Sequence, residues 1–183
     1  DFDSTLTQPQ GYSSWSVVER SSFTTEKYRE KTLALYKKFY PVEIDATLSR
    51  PEKTRLMVEW WDHAHEALIS ENLPDDAFKR MVADAIDRIL MRERCPEFFL
   101  KCTEEKVPLL LFSAGIGNVI EEVVALKGLD ARQVHVISNQ VVFANGRAQG
   151  FANAPIHVFN KHEDLIAGTP FHAAVAARRN VLL

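Results

Sequence analysis

Between Ser22 and about Lys38, apolar and aromatic residues recur among charged ones at Tyr28, Leu33, Leu35 and Tyr36. This spacing predicts an amphipathic helix with Thr24 or Thr25 as its N-cap. The segment "PVEIDATLSRPEK", punctuated by Pro41 and Pro51, reads as a loop. "EKTRLMVEWWDHAHEALISEN" then returns to helical periodicity and stops near Asn72-Leu73-Pro74. In "DDAFKRMVADAIDRILMRER", Phe78, Met81, Val82, Ala85, Ile86 and Ile89 form one apolar stripe, with Asp75 or Asp76 as the cap.

After Cys95 the texture changes. "VPLLLFSAGIG" is a continuous apolar run ending in small residues, as expected of a strand buried on both faces. "NVIEEVVALKGL" reads as a helix closed by Gly128, and "QVHVISN" as a second buried strand. "QVVFANGRAQGF" is a hairpin around a type I′ turn at Asn145-Gly146. A further helix is expected after Pro170, and "NVLL" reads as the opening of another strand. Alternating strands and helices imply a doubly wound α/β core, with the long helical stretch before Val107 inserted as a cap over the active edge of the sheet.

Composition narrows the function classes. With 183 residues, 46% hydrophobic and 26% charged, the chain can bury a core. A formal net charge of -3 argues against a nucleic-acid polymer as the main partner. No apolar run approaches the roughly 20 residues of a membrane span. Cys95 and Cys102 lack metal-ligand spacing and read as reduced thiols, with a disulfide as the second option.

"DFD" and "FSAGIG" are expected on the active edge of the sheet, with Ser113 at the end of a buried strand, and Lys161 of "FNKHE" is expected in a loop. Alone, the opening "DFD" is a solvated acidic end, "SAG" is an N-cap, and a lysine in "FNKHE" is a solvated charge. In this order on this pattern they suit phosphoryl transfer. Asp1 offers a carboxylate nucleophile and Asp3 a proton carrier. Ser113, followed by Ala114-Gly115, offers a hydroxyl beside close-approach backbone, and Lys161 offers a fixed positive charge.

"DFDSTLT", "LFSAGIG" and "FNKHE" resemble three ordered motifs of the haloacid dehalogenase superfamily of phosphatases. "YPVEID", "MVEWW", "FSAGIGNVIEEV", "GF", "IHVFNKHE" and "NVLL" resemble, over essentially the whole length, the cytosolic 5′-nucleotidase III family, the pyrimidine and 7-methylguanosine-phosphate nucleotidases. The resemblance implies an α/β fold: a Rossmann-like core, a parallel sheet flanked by helices, with a helical cap inserted after the first motif. On that plan residues 1–7 carry the first catalytic loop, 8–95 the cap and 96–183 the rest of the core. It implies a cytoplasmic, monomeric, Mg²⁺-dependent hydrolase of nucleoside 5′-monophosphates, without a nucleic-acid or membrane partner.

Carried over by residue, the resemblance makes Asp1 the nucleophile and a metal ligand. Asp3 becomes the acid/base, and its main-chain carbonyl a second metal ligand. Ser113, Ala114 and Lys161 bind phosphate, and Glu43 of "VEID" hydrogen-bonds the nucleobase as an acceptor. Trp15 falls where the family stacks a side chain on the base, and Ala64 where pyrimidine-preferring members carry a small polar residue. Both features lean toward 7-methylguanosine monophosphate being accepted alongside CMP, since an indole favours a large or cationic ring. As a loop aromatic, Trp15 is equally readable as a packing anchor. Trp60 and Trp61 read as cap core.

The family pattern also includes a strand ahead of Asp1 and a Gly-Asp, with a second Asp nearby, after "NVLL". Neither is among the 183 residues. The sequence is therefore expected to be an internal piece of a longer enzyme, with little phosphatase activity and poor solubility by itself. Two other readings are a phosphoserine-type small-metabolite phosphatase and a catalytically inactive nucleotide-binding module.

Overall fold

The computed structural model describes residues 1–180. Its helices are α1 (Ser14–Glu19), α2 (Glu26–Ile44), α3 (Arg50–Ser70), α4 (Ala77–Ala85), α5 (Cys95–Glu104), α6 (Gly117–Leu126) and α7 (Pro170–Val175). The strands are β1 (Leu109–Ile116), β2 (Val134–Asn139), β3 (Val141–Ala144) and β4 (Arg147–Phe151). β1 and β2 pair in parallel with α6 as the crossover, and β3 and β4 form a separate antiparallel hairpin. Asn145 and Gly146, at φ 52° and 71°, supply the two left-handed positions that a type I′ turn requires. The strand expected at "NVLL" lies, from Val181 onward, outside the described residues.

Side-chain caps account for the starts of α1, α2, α3 and α7. The Thr25 hydroxyl accepts the Tyr28 N–H and caps α2, a contact worth about 1 kcal/mol. Ser49 and Glu52 form a reciprocal capping box at the start of α3, with Pro51 in its first turn. The loop expected over 41–53 is shorter than the prolines suggested. α2 continues through Pro41 to Ile44, because Phe39 is fully buried and Val42 packs on the same cluster. A proline so near the C-terminus forfeits one hydrogen bond without unseating the last turn. Asp45 then ends the helix by accepting the Thr47 N–H at 2.7 Å. Glu43 is therefore in the final turn of α2 and not in a loop.

The stripe expected to run through Ile89 also breaks early. After α4 the chain makes a short 3₁₀ turn at Ile86–Arg88 and becomes extended. A long-range partner overrides the local period there: Gln8 N–H donates to Leu90 O at 2.7 Å, and Arg92 N–H to Leu6 O at 2.8 Å. Helix α5 was not legible in the pattern and follows directly. Cys95 and Cys102 lie on it as free thiols.

Two apolar clusters position the site. The larger joins Phe2, Val17, Val18, Phe78 and Met81 to Leu111, Ile116, Val119 and Ile120, so packing is continuous across residue 95. The smaller holds Leu35, Phe39, Met57 and Ala64, with Trp60, Trp61 and Phe159 packed against it. Trp15 touches both. Among the described residues no helix is long and apolar enough to cross a membrane.

Candidate active site

The β1–β2 ladder runs in register from Leu109↔Val134 to Phe112↔Ile137 and resumes at Ile116↔Asn139. Four steps on β1 thus face two on β2, and Ser113-Ala114-Gly115 bulges out of the ladder. Bulges of this kind re-aim side chains beside functional sites. Within the bulge Gly115 N–H donates to Ser113 Oγ at 3.1 Å, and Ser113 is 1% exposed. A Cβ at Gly115 would overlap Ser14 Oγ and come within 2.9 Å of Asp3 Oδ2. Only glycine lets the backbone pass here.

Phe2, 1% exposed, anchors the opening turn in the larger cluster, and its carbonyl accepts the N–H groups of Thr5, Leu6 and Thr7. Asp1 and Asp3 flank that anchor. Lys161 Nζ donates to Asp1 Oδ2 at 2.5 Å and to Phe112 O at 3.3 Å. Asp1, the edge of the bulge and Lys161 therefore meet, although they are far apart in sequence. Asp3 is held differently: Ser14 N–H donates to its Oδ1 at 2.8 Å and Ser14 Oγ to its Oδ2 at 2.7 Å. Burial pushes the Asp3 carboxyl above its ordinary range, while the Ser14 bonds and Lys161 oppose the rise. Burial also pulls Lys161 below the usual lysine range.

The remaining candidates line the helical side. Trp15 is on α1, not in a loop, and its indole N–H donates to Ala114 O at 3.2 Å. Its ring stacks on His65, which stacks on Phe151 at 3.6 Å between centroids. Ala64 is 8% exposed within the smaller cluster, against which Trp15 also packs. Glu43 is half-buried, and burial raises its carboxyl despite the nearby Lys53 cation. Lys53 Nζ donates to the Glu43 main-chain oxygen at 3.0 Å and sits over the Phe159 ring, two residues before Lys161. The end of α2 is thus linked through α3 to the lysine-bearing segment.

The donors beside Asp1 are hard oxygens, the type a magnesium ion takes. Among the described residues no group of three or more His, Cys, Asp or Glu side chains converges on one point. The Asp1 carboxylate and the Asp3 main-chain carbonyl suit such an ion in kind and would supply part of its shell.

Ser14 was not legible as a site residue. It donates to both carboxylate oxygens of Asp3, and its Oγ also accepts the Ile116 N–H at 3.2 Å. One serine thereby ties the acidic turn to the end of the bulge. In the sequence "YSSWS" it looks like any helix-capping serine, and Ser13 is the residue that caps α1.

Comparison with known proteins identifies the family. The 7-methylguanosine phosphate-specific 5′-nucleotidase A of Xenopus laevis is 31% identical over 189 residues, covering 100% of this chain and 64% of the relative. The human 7-methylguanosine phosphate-specific 5′-nucleotidase is 30% identical, with 100% and 62% covered. The chain spans less than two thirds of the length of these curated relatives. The crystal structure of cytosolic 5′-nucleotidase IIIB bound to cytidine superposes with a TM-score of 0.77 at 30% identity, over 87% of this chain and 55% of that one. The fold is accordingly the capped α/β fold of that neighbour. The family pattern described as pyrimidine 5′-nucleotidase (UMPH-1) matches residues 5–183, and with nearly the whole length inside it the chain belongs to the pyrimidine 5′-nucleotidase (UMPH-1) family.

Proposed function

We propose that the protein is a cytoplasmic 5′-nucleotidase, hydrolysing the phosphomonoester of nucleoside 5′-monophosphates: CMP or UMP, 7-methylguanosine monophosphate, or both. The observation that carries the reading is the meeting of Asp1, Lys161 and the β1 bulge at one point, with Asp3 beside it. That set supplies the nucleophile, the proton carrier and the charge that a phosphomonoester needs.

In the proposed reaction an Asp1 oxygen attacks phosphorus while the bond to the 5′ oxygen breaks. Asp3, raised by its burial, gives its proton to the departing alkoxide. Asp3 then takes a proton from water, whose oxygen attacks the aspartyl-phosphate, releasing orthophosphate and restoring Asp1. Lys161 and the Ser113 hydroxyl hold the phosphoryl oxygens throughout. Asp1 and the Asp3 carbonyl would hold Mg²⁺, which when bound supplies further neutralisation of phosphate charge. Glu43, Trp15 and Ala64 would face the base, the first by accepting a hydrogen bond and the second by stacking.

Phosphate release by the full-length protein from CMP, UMP, 7-methylguanosine monophosphate and phosphoserine, with and without Mg²⁺, tests the proposal. Turnover of a nucleotide that chelation abolishes is expected. Preference for phosphoserine, or binding of nucleotide without turnover, overturns it.

A further inference from the structure

The bulge removes Ala114 from the regular β1–β2 ladder, so its carbonyl needs donors from elsewhere. Two side chains supply them. Asn139 Nδ2 donates to Ala114 O at 2.8 Å, and the Trp15 indole N–H approaches the same oxygen at 3.2 Å. Both lone pairs of that oxygen are engaged. Asn139 is 3% exposed at the end of β2, the position where the ladder resumes. Its own orientation is fixed by a reciprocal pair with Ile156: Nδ2 donates to Ile156 O at 2.9 Å and Oδ1 accepts the Ile156 N–H at 2.8 Å. Reversing the amide would set its oxygen against two carbonyls.

A trans peptide is planar, and its C=O and N–H point in opposite directions. Fixing the Ala114 carbonyl therefore fixes the N–H of Gly115, which donates to Ser113 Oγ. An oxygen that accepts this N–H keeps its own proton free to donate elsewhere. The chain of contacts from Asn139 to Ala114 O, to Gly115 N–H, to Ser113 Oγ thus decides which way the serine hydroxyl can point.

We propose that Asn139 is a positioning residue of the phosphate-binding turn, clamping the Ala114 carbonyl with Trp15 and thereby aiming the Ser113 hydroxyl. The inference rests on the reading of that turn as the phosphate site. Asn118 provides a matched control, because its amide makes the same type of reciprocal pair with the Val141 backbone without touching Ala114.

The test compares Asn139→Ala and the near-isosteric Asn139→Asp with Asn118→Ala in the full-length protein. One readout is steady-state phosphate release from a nucleoside monophosphate. The other is the indole N–H resonance of Trp15 in protein carrying ¹⁵N-tryptophan, assigned by its loss in Trp15→Phe. For whichever Asn139 variant folds, kcat/KM falls at least tenfold and the Trp15 resonance moves, while Asn118→Ala keeps both wild-type values and loses only thermal stability. A wild-type value in either readout for the Asn139 variants, or the same losses in Asn118→Ala, overturns the proposal. If the unaltered protein hydrolyses no nucleotide, the proposed function falls by itself. The resonance then decides the clamp alone: its movement supports the clamp, and its constancy overturns it.

Discussion

Lys161 Nζ and Asp1 Oδ2 stand 2.5 Å apart across 160 residues of sequence, and the same ammonium reaches the Phe112 carbonyl at the edge of the bulge. The lysine side chain is only 18% exposed, so this charge is held rather than solvated. Replacing it by a neutral chain of similar length, Lys161→Met, should lower kcat for nucleotide hydrolysis by about 10²–10³, the usual loss for one preorganised charge-stabilising donor. Lys161→Arg should recover only part of this, because the guanidinium cannot occupy the same position. Initial rates of phosphate release check both, and full activity in Lys161→Met would remove the lysine from the reaction.

Gly115 makes a separate prediction from sterics alone. A methyl group there collides with Ser14 Oγ and crowds the Asp3 and Ser113 oxygens, at 2.9 and 3.2 Å. Gly115→Ala should therefore cost activity about tenfold or more by displacing Asp3 and Ser113, since misplacements of about 1 Å carry losses of up to about 10²-fold. Circular dichroism and a melting curve accompany the assay. A variant that melts like the wild type yet retains full activity would show that the bulge tolerates a side chain, contrary to its geometry.

The longer helices and the hairpin are readable in the sequence because amphipathic period, caps and the Asn145-Gly146 turn are local signals, whereas α1 and α5 are not. The sequence misled where a distant partner decided the outcome. α2 runs through Pro41 because Phe39 and Val42 are buried, and α4 stops short because residues 6–12 pair with 88–92. The same division holds in the site. Asp1, Ser113 and Lys161 stand out as chemistry-bearing types, Ser113 lying toward the C-terminal end of β1. Ser14 and Asn139 do not, since their roles rest on atoms 11 and 25 positions away and their local text resembles a cap and a strand end.

On the proposed function, Glu43 separates base recognition from phosphate chemistry. Its main-chain oxygen, not its carboxylate, receives the Lys53 ammonium, so removing the carboxylate leaves that link to α3 in place. A hydrogen bond to a charged acceptor is worth about 1.5–3 kcal/mol. Glu43→Ala should thus lower kcat/KM for the preferred nucleotide by about tenfold to a hundredfold and leave an aryl phosphate unaffected. Parallel assays with CMP, 7-methylguanosine monophosphate and the aryl ester check this, and an equal loss on all substrates would make Glu43 a structural residue of the α2 terminus.

His65 predicts how the fold responds to acid. Its ring is 8% exposed between Trp15 and Phe151, and burial lowers its pKa from 6.5 to about 4. Nε2 is buried without a protein hydrogen-bond partner, so the neutral ring fits the packing and the imidazolium does not. Between pH 6.5 and 4 the unfolded chain binds a proton here that the folded chain refuses. The histidine's contribution is therefore complete above pH 6.5 and drains away as the pH falls toward 4. A difference of this size corresponds to about 3 kcal/mol across the window. His65→Phe keeps an aromatic ring in the stack and has no proton to bind. Its melting temperature should fall less than that of the wild type between pH 7 and pH 4.5, with the gap closing above pH 7. Parallel melting temperatures for the two proteins across this range would assign the acid loss to other titrating groups and not to the His65 ring.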